Sequence, residues 1–126
     1  MNDSPLDTAL AYHNAWTSAD FSTAAELLSD DLEVDVPLNV YETKEDFVSA
    51  LTSFGGAARG IGLLASLEGV DHDACLIYDM DVDDLGTLRV AEHLTIENGR
   101  ISALRQIHDT AVLRHAGFGL PLGGEK

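Results

Sequence analysis

Apolar residues stand at alternate positions from Thr87 to Glu97, in the sequence TLRVAEHLTIE, and one carboxylate, Glu92, breaks this series. Alternate positions of a strand share one face, because successive side chains point to opposite sides of the sheet. One such face carries Leu88, Val90, Glu92, Leu94 and Ile96. If this face is the inner one, the Glu92 carboxyl group lies among apolar neighbours and must be paired, protonated or used in chemistry. The pattern therefore points to a pocket.

Two further strands flank this one. The dipeptide Asn98-Gly99 predicts a tight hairpin turn into a last strand that runs from Ile101 to about Asp109. On the other side, a strand from 74 to 82 is turned back by residues 83–86. The simplest pairing sets Tyr78 opposite Val90 and Met80 opposite Leu88, so Leu76, Tyr78 and Met80 share the face of Glu92.

Three helices are predicted before these strands from capping residues and helical spacing of apolar side chains. They run from Ser4 to about Ser18, from Asp20 through Leu28, and from Thr43 to the Gly55-Gly56 pair that stops the third helix. A strand follows from Leu32 to Pro37, which either ends the strand or sits at an edge of the sheet. The run from 60 to 69 reads as a strand with bulges at its glycines.

This order of elements predicts an α+β domain. We expect a cone-shaped, strongly curved antiparallel or mixed sheet that packs against three N-terminal helices and encloses a pocket. A chain of 126 residues fits a single domain, 1–126, with a core at 6–110 and a tail at 111–126. The tail carries Phe118, Leu120 and Leu122, which could pack on this chain or on a partner.

The charge balance narrows the possible partners. With 22 acidic against 7 basic residues, the net charge is −15, so nucleic acid and anionic membrane surfaces are not expected as partners. No signal peptide is evident, which favours a cytoplasmic protein. The single Cys75 excludes an internal disulfide and reads as a small apolar residue. Neither His72 between two aspartates nor Gly60-Ile61-Gly62 predicts a metal or phosphate site, and no cofactor is expected.

Several segments together resemble one known superfamily. They are Ala11-Tyr12 through Trp16 to Asp20, Leu27 to Asp31, Val34-Asp35-Val36-Pro37, Ala91-Glu92-His93, Asn98 to Ile101, and Ile107-His108-Asp109. Over residues 6 to 110, the sequence resembles the nuclear transport factor 2-like (NTF2-like) superfamily, and within it the SnoaL-like and ketosteroid isomerase-like branch. This superfold hosts isomerases, dehydratases, cyclases, epoxide hydrolases and plain binding proteins.

The resemblance to ketosteroid isomerase implies part of a catalytic site. Tyr12 and Glu92 occupy the places of that enzyme's oxyanion-stabilising tyrosine and protonated carboxylic acid. The place of its general base is taken by Val36, and Asp35 should point the other way. Steroid isomerisation by the usual base is therefore not expected.

The last strand offers another base. By the same resemblance its inward positions are Leu104, Gln106 and His108, and Gln106 stands where related epoxide hydrolases carry an aspartate. Only His108 titrates naturally near neutral pH. A register shifted by one residue would instead bring Arg105 inward to neutralise Glu92.

Two classes of function follow. The first is acid/base catalysis by Glu92, His108 and Tyr12, as an isomerase, cyclase or dehydratase acting on a small apolar or aromatic molecule. The second is a non-catalytic ligand-binding or dimeric interaction module. In either case the expected ligand-binding residues are Trp16, Val36, Tyr78, Met80, Val90, Leu104 and Gln106. Trp16 also reads as a core residue, and Glu92 as one half of a polar pair.

A homodimer is also implied by the resemblance. The outer face of the sheet offers Ile77, Ala91 and Ile107 as contacts. His93 should point out of the cone as well, where a dimer contact is expected rather than chemistry.

Overall fold

Three helices and five strands make up the computed structural model, which describes residues 4–82, 86–111 and 114, without the side chains of residues 56–58. The helices are α1 (Pro5–Thr17), α2 (Phe21–Glu26) and α3 (Lys44–Ala57). The strands are β1 (Leu28–Asp35), β2 (Ala58–Glu68), β3 (Asp73–Val82), β4 (Gly86–Glu97) and β5 (Arg100–His108). No helix in this described part has the length and apolar character needed to cross a membrane.

The strands form one mixed sheet in the order β1-β5-β4-β3-β2. The β1 and β5 strands are parallel, and the three other pairs are antiparallel. The predicted α+β class, with a curved mixed sheet and three N-terminal helices, is confirmed. The sheet is curled rather than closed, since β1 and β2 remain its two edges among the described strands.

The predicted helix starts are confirmed by their capping contacts. Ser4 and Asp7 form a reciprocal capping box at the start of α1. The Asp20 side chain accepts a hydrogen bond from the Thr23 backbone N–H at 3.2 Å, and Thr43 Oγ1 accepts one from Asp46 N–H at 3.1 Å. Each contact satisfies a backbone donor that has no partner within the helix.

The boundary between α2 and β1 differs from the prediction. Leu28 does not belong to α2, because β1 begins at this residue rather than at Leu32. The cause is parallel pairing with the last strand: Leu28 lies opposite Ile101, whose N–H donates to the Leu27 carbonyl at 2.8 Å. Because β1 ends at Asp35, Pro37 lies beyond the strand.

The third helix does not stop at the glycine pair either, since it runs through Gly55-Gly56 to Ala57. A glycine at 55 allows close packing that a side chain would block. A Cβ built there would approach Phe21 Cζ to 2.7 Å. The contact between α2 and α3 therefore offsets the intrinsic cost of glycine in a helix.

The hairpins follow the sequence pattern. Tyr78 pairs with Val90 and Met80 with Leu88, as predicted. The register of β2 shifts between Arg59 and Gly62, which confirms a bulge at the glycines, and again between Leu63 and Ala65, where there is no glycine. The predicted turn at 83–86 falls mainly outside the described residues, as does the tail with Phe118, Leu120 and Leu122.

The main core lies between the helices and the concave face of the sheet. The α1 helix contributes Ala9, Tyr12 and Trp16, which are all buried. The sheet contributes fully buried leucines, among them Leu76 and Leu94. Helix spacing and strand alternation thus direct both sets of apolar side chains to one interior.

The β4–β5 turn provides a test of backbone conformation. Asn98 and Gly99 have φ values of 54° and 75°, which is the pattern of a type I′ hairpin turn. We expect Gly99→Ala to lower the free energy of unfolding by about 1 kcal/mol, because a side chain disfavours this conformation. Gly62→Ala is the matched control, since neither glycine has a neighbour within 4 Å of an added Cβ and Gly62 has no positive φ. Equal losses of unfolding free energy in the two variants, measured in urea, would contradict the assignment of a type I′ turn.

Candidate functional site

A cavity of about 550 Å³ lies between the concave face of the sheet, α1, α3 and the segment that follows β1. Its volume falls in the range of small-molecule sites. The wall is mainly apolar and aromatic, with a few polar groups. The lining residues are Tyr12, Trp16, Val36, Pro37, Leu38, Asn39, Tyr41, Phe47, Ala50, Leu51, Ser53, Phe54, Tyr78, Met80, Val82, Leu88, Val90, Glu92, Gln106 and His108.

Nine of the ten residues singled out in the sequence lie in this wall. They are Tyr12, Trp16, Val36, Tyr78, Met80, Val90, Glu92, Gln106 and His108. Leu104 does not line the cavity. It shares the inward side of β5 with Gln106, but it is fully buried in the core opposite Leu94.

Glu92 is the acidic group of the cavity. Its side chain is 1% exposed, and its Oε2 atom accepts a hydrogen bond from Gln106 Nε2 at 2.7 Å. Its Oε1 atom is buried and has no hydrogen-bond partner among the described residues. Burial raises the pKa of Glu92 from 4.5 to about 7, although the hydrogen bond from Gln106 opposes this shift. Near neutral pH, a protonated Oε1 can therefore donate a hydrogen bond into the cavity.

The pairing of β4 with β5 decides between the two registers left open by the sequence. Glu92 lies opposite Gln106, and His93 lies opposite Arg105. Arg105 therefore faces outward, where its Nη1 atom donates to His93 Nδ1 at 3.1 Å. Because arginine is only a donor, His93 Nδ1 accepts and its Nε2–H donates to Asp73 Oδ2 at 2.6 Å. Glu92 thus keeps an amide, and not a cation, as its partner.

Two more polar atoms of the cavity wall lack partners. The Tyr12 hydroxyl and the Trp16 indole nitrogen are buried and make no hydrogen bond with the described residues. Tyr12 and Trp16 are four residues apart on α1, so their side chains share one face of the helix. The pKa of Tyr12 lies well above its usual value, because of burial and the nearby Glu92 charge. Tyr12 therefore stays protonated and remains a donor.

His108 contributes the basic group. Its Nδ1 atom lies 3.1 Å from the Asp109 carbonyl oxygen, which can only accept a hydrogen bond. The proton of neutral His108 is therefore on Nδ1, and Nε2 has a free lone pair.

The sequence reasoning missed the half of the wall opposite the sheet. Residues 37–41 contribute Pro37, Leu38, Asn39 and Tyr41, and α3 contributes Phe47, Leu51 and Phe54. The three α3 residues stand at i, i+4 and i+7, a spacing that predicts a buried helical face but does not tell a cavity wall from core. No spacing rule could have found the segment after β1.

The polar groups of the wall suit an uncharged acceptor more than an ion. Tyr12, Trp16 and protonated Glu92 are all hydrogen-bond donors, and no lysine or arginine is among the described residues that line the cavity. In the described ranges, no cluster of three His, Cys, Asp or Glu side chains could hold a metal ion. The arrangement can bind a carbonyl-type oxygen and hold its ligand in apolar surroundings.

Comparisons with solved structures identify the fold. A protein from Kribbella flavida DSM 17836 is 34% identical, with a TM-score of 0.81 over 88% of this chain and 91% of that one. An NTF2-like protein of unknown function from Cytophaga hutchinsonii ATCC 33406 is 20% identical, with a TM-score of 0.79 over 90% and 97%. A second Kribbella flavida protein, provisionally named a ketosteroid isomerase, is 16% identical, with a TM-score of 0.73 over 85% and 78%. No family model and no curated protein matches the sequence.

The raised pKa of Glu92 predicts a pH-dependent stability. An acid whose pKa is raised by folding contributes its full stability below its unfolded pKa, near 4.5, and loses it as pH rises through the folded value of about 7. The shift corresponds to about 3 kcal/mol. We expect the Glu92→Gln variant, whose side chain cannot ionise, not to lose this stability as pH rises. The difference in unfolding free energy between the two proteins, measured in urea at pH 4.5 and pH 8, should change by that amount. A difference independent of pH would contradict the assignment.

Proposed function

The chain belongs to the same family as its 34% identical Kribbella flavida relative and has the NTF2-like fold, and from this premise we propose that its cavity binds a small, mostly apolar carbonyl compound and moves a proton on it. The observation that carries the proposal is the pair of unpartnered polar atoms, Tyr12 Oη and Glu92 Oε1, in a mainly apolar wall. Buried polar atoms of this kind are usually satisfied, and a ligand oxygen would satisfy both.

The proposed chemistry begins with polarisation of the carbonyl group. Tyr12 and protonated Glu92 donate hydrogen bonds to the ligand oxygen and stabilise the negative charge that develops there. His108 Nε2 takes a proton from the carbon next to the carbonyl, and the C–H electron pair forms the double bond of the enolate. Return of the proton to another carbon gives isomerisation, and departure of a group from the β-carbon gives elimination.

The place of the three groups supports this assignment of roles. Glu92 and His108 stand on adjacent strands, and Gln106 lies opposite Glu92 and two residues before His108 on the cavity side of β5. Gln106 holds the other oxygen of Glu92 and leaves Oε1 for the ligand. Tyr12 comes from α1, so the acceptor oxygen would be bound between helix and sheet.

A non-catalytic binding protein is the alternative. Val36 lines the cavity at the position where the isomerase resemblance requires a base, and Gln106 cannot exchange a proton. Both residues favour binding without turnover, and the resulting protein would hold an apolar molecule with one acceptor oxygen.

A single naphthalene ketone, 6-propionyl-2-dimethylaminonaphthalene, can separate these two functions. The chain has one tryptophan, and this residue, Trp16, lines the cavity, so energy transfer from Trp16 to the bound ketone reports occupancy. Incorporation of deuterium from D₂O next to the carbonyl reports proton abstraction. We expect both signals from the catalyst, and energy transfer alone from the binding module.

Loss of either proposed group should slow the exchange. We expect Glu92→Gln and His108→Ala each to lower the deuterium exchange rate about 100-fold, in the range seen for acid/base and oxyanion groups. The rate of the unchanged protein should fall as pH rises above about 7, because Glu92 must be protonated. Glu92→Gln should lose that fall. His93→Ala is the control, because this histidine lies on the outer face. The His93→Ala variant should catalyse deuterium exchange at the same rate as the unchanged protein. Full activity in both site variants would refute the assignment.

The quaternary part of the proposal is a homodimer formed through the outer sheet face. Ile107 on β5 is 73% exposed, and Leu67 on β2 is 54% exposed. Ile77 and Ala91 lie between them on β3 and β4. Large apolar side chains of this kind on one sheet face are typical of a contact surface.

Light scattering after size-exclusion chromatography measures this assembly directly. We expect a mass of twice 13.5 kDa for the unchanged chain, and 13.5 kDa for Ile107→Asp, because two symmetry-related carboxylates would be buried at the interface. A monomeric unchanged chain would rule out the dimer.

A further inference from the structure

The segment after β1 contains a strained residue in the cavity wall. Val36 and Asn39 form an isolated bridge that closes a four-residue turn, and Leu38 in this turn has φ of 75°. Proline at the second position and a positive φ at the third are typical of a type II turn, in which the third residue is usually glycine or asparagine. A leucine is disfavoured there, because its Cβ meets the backbone in the left-handed conformation.

Leu38 differs from the other strained residues in its surroundings. Ala19, His72 and Asn98 also have positive φ values, and none of them lines the cavity. Leu38 does line it, whereas Val40, two residues later, is 85% exposed. The turn therefore directs the Leu38 side chain to the cavity and the Val40 side chain to solvent. Strained residues cluster at functional sites, so a strained leucine in the cavity wall is a candidate for a functional role.

We propose that Leu38 determines which ligands the cavity accepts. The left-handed backbone conformation of this residue holds its side chain where it closes the wall opposite the sheet. The inference rests on the proposed function, since the ligand is the one that the cavity binds. Leu38 sets the length of the apolar group that fits between the segment after β1 and the β-sheet. Replacing leucine by alanine removes three side-chain carbons, which would leave space for about three more methylene groups.

Two homologous probes test the selection. One is the propionyl naphthalene ketone described above, and the other carries a hexanoyl chain in place of the propionyl group. Binding of each is followed by energy transfer from Trp16. We expect Leu38→Gly and Leu38→Ala to shift the ratio of the two dissociation constants at least tenfold toward the longer probe, since each buried methylene is worth about fourfold in affinity.

Two controls separate the effect of the Leu38 side chain on ligand affinity from the effect of the backbone strain. Leu38→Gly should melt about 3 °C above Leu38→Ala, because both variants lack the leucine and only alanine keeps the strain. Ala19→Gly relieves the same kind of strain at a residue with φ of 65° that does not line the cavity, so it should leave the affinity ratio unchanged.

The possible outcomes are distinct. An unchanged ratio in both Leu38 variants, with probes that bind the unchanged protein, would overturn the role of Leu38 and leave the proposed function standing. The same shift in Ala19→Gly would also overturn it, because the effect would then belong to the backbone in general. If neither probe binds the unchanged protein, both the carbonyl-ligand function and this inference fail.

Discussion

The burial of one carboxyl group on an apolar sheet face is the constraint on which the site depends. Glu92 occupies an inward position of β4, and its single described hydrogen bond comes from an uncharged amide. A cation at the same place would hold Glu92 ionised and reduce it to half of an ion pair. Gln106 instead leaves the pKa of Glu92 under the control of burial, and the protonated group can donate a hydrogen bond near neutral pH.

The two faces of the sheet differ in how their charged side chains are paired. On the outer face, Arg89 makes two hydrogen bonds to Asp79, at 2.7 and 2.9 Å, and His93 lies between Asp73 and Arg105. These contacts lower the pKa of both Asp79 and Asp73 and keep them ionised. Among the described residues that line the cavity on the inner face, Glu92 is the one acid, and no lysine or arginine lies beside it. Strand alternation therefore places these ionic contacts on one face of the sheet and the apolar cavity wall on the other.

The cavity exists because the sheet is curled and because its open side is covered by elements that contribute little polarity. The α3 helix and residues 36–41 supply mainly aliphatic and aromatic side chains, with Tyr41 and Phe47 in an edge-to-face contact at 5.6 Å. The donors of α1 and the acid of β4 thus lie in apolar surroundings. Hydrogen bonds formed there are stronger than in water, which suits both tight binding and stabilisation of a developing charge.

The sequence by itself determined the elements whose signals are local. Capping residues placed the helix starts, the Asn98-Gly99 pair placed the hairpin, and alternation placed Glu92 on the inner face. Tertiary structure decided what depends on contacts between distant segments. Parallel pairing with β5 moved the start of β1 to Leu28, packing against Phe21 carried α3 through Gly55, and the register of β4 with β5 chose Gln106 over Arg105 as the partner of Glu92. Periodicity assigns a side chain to a face, but only the pairing of strands and the packing of helices determine what that face meets.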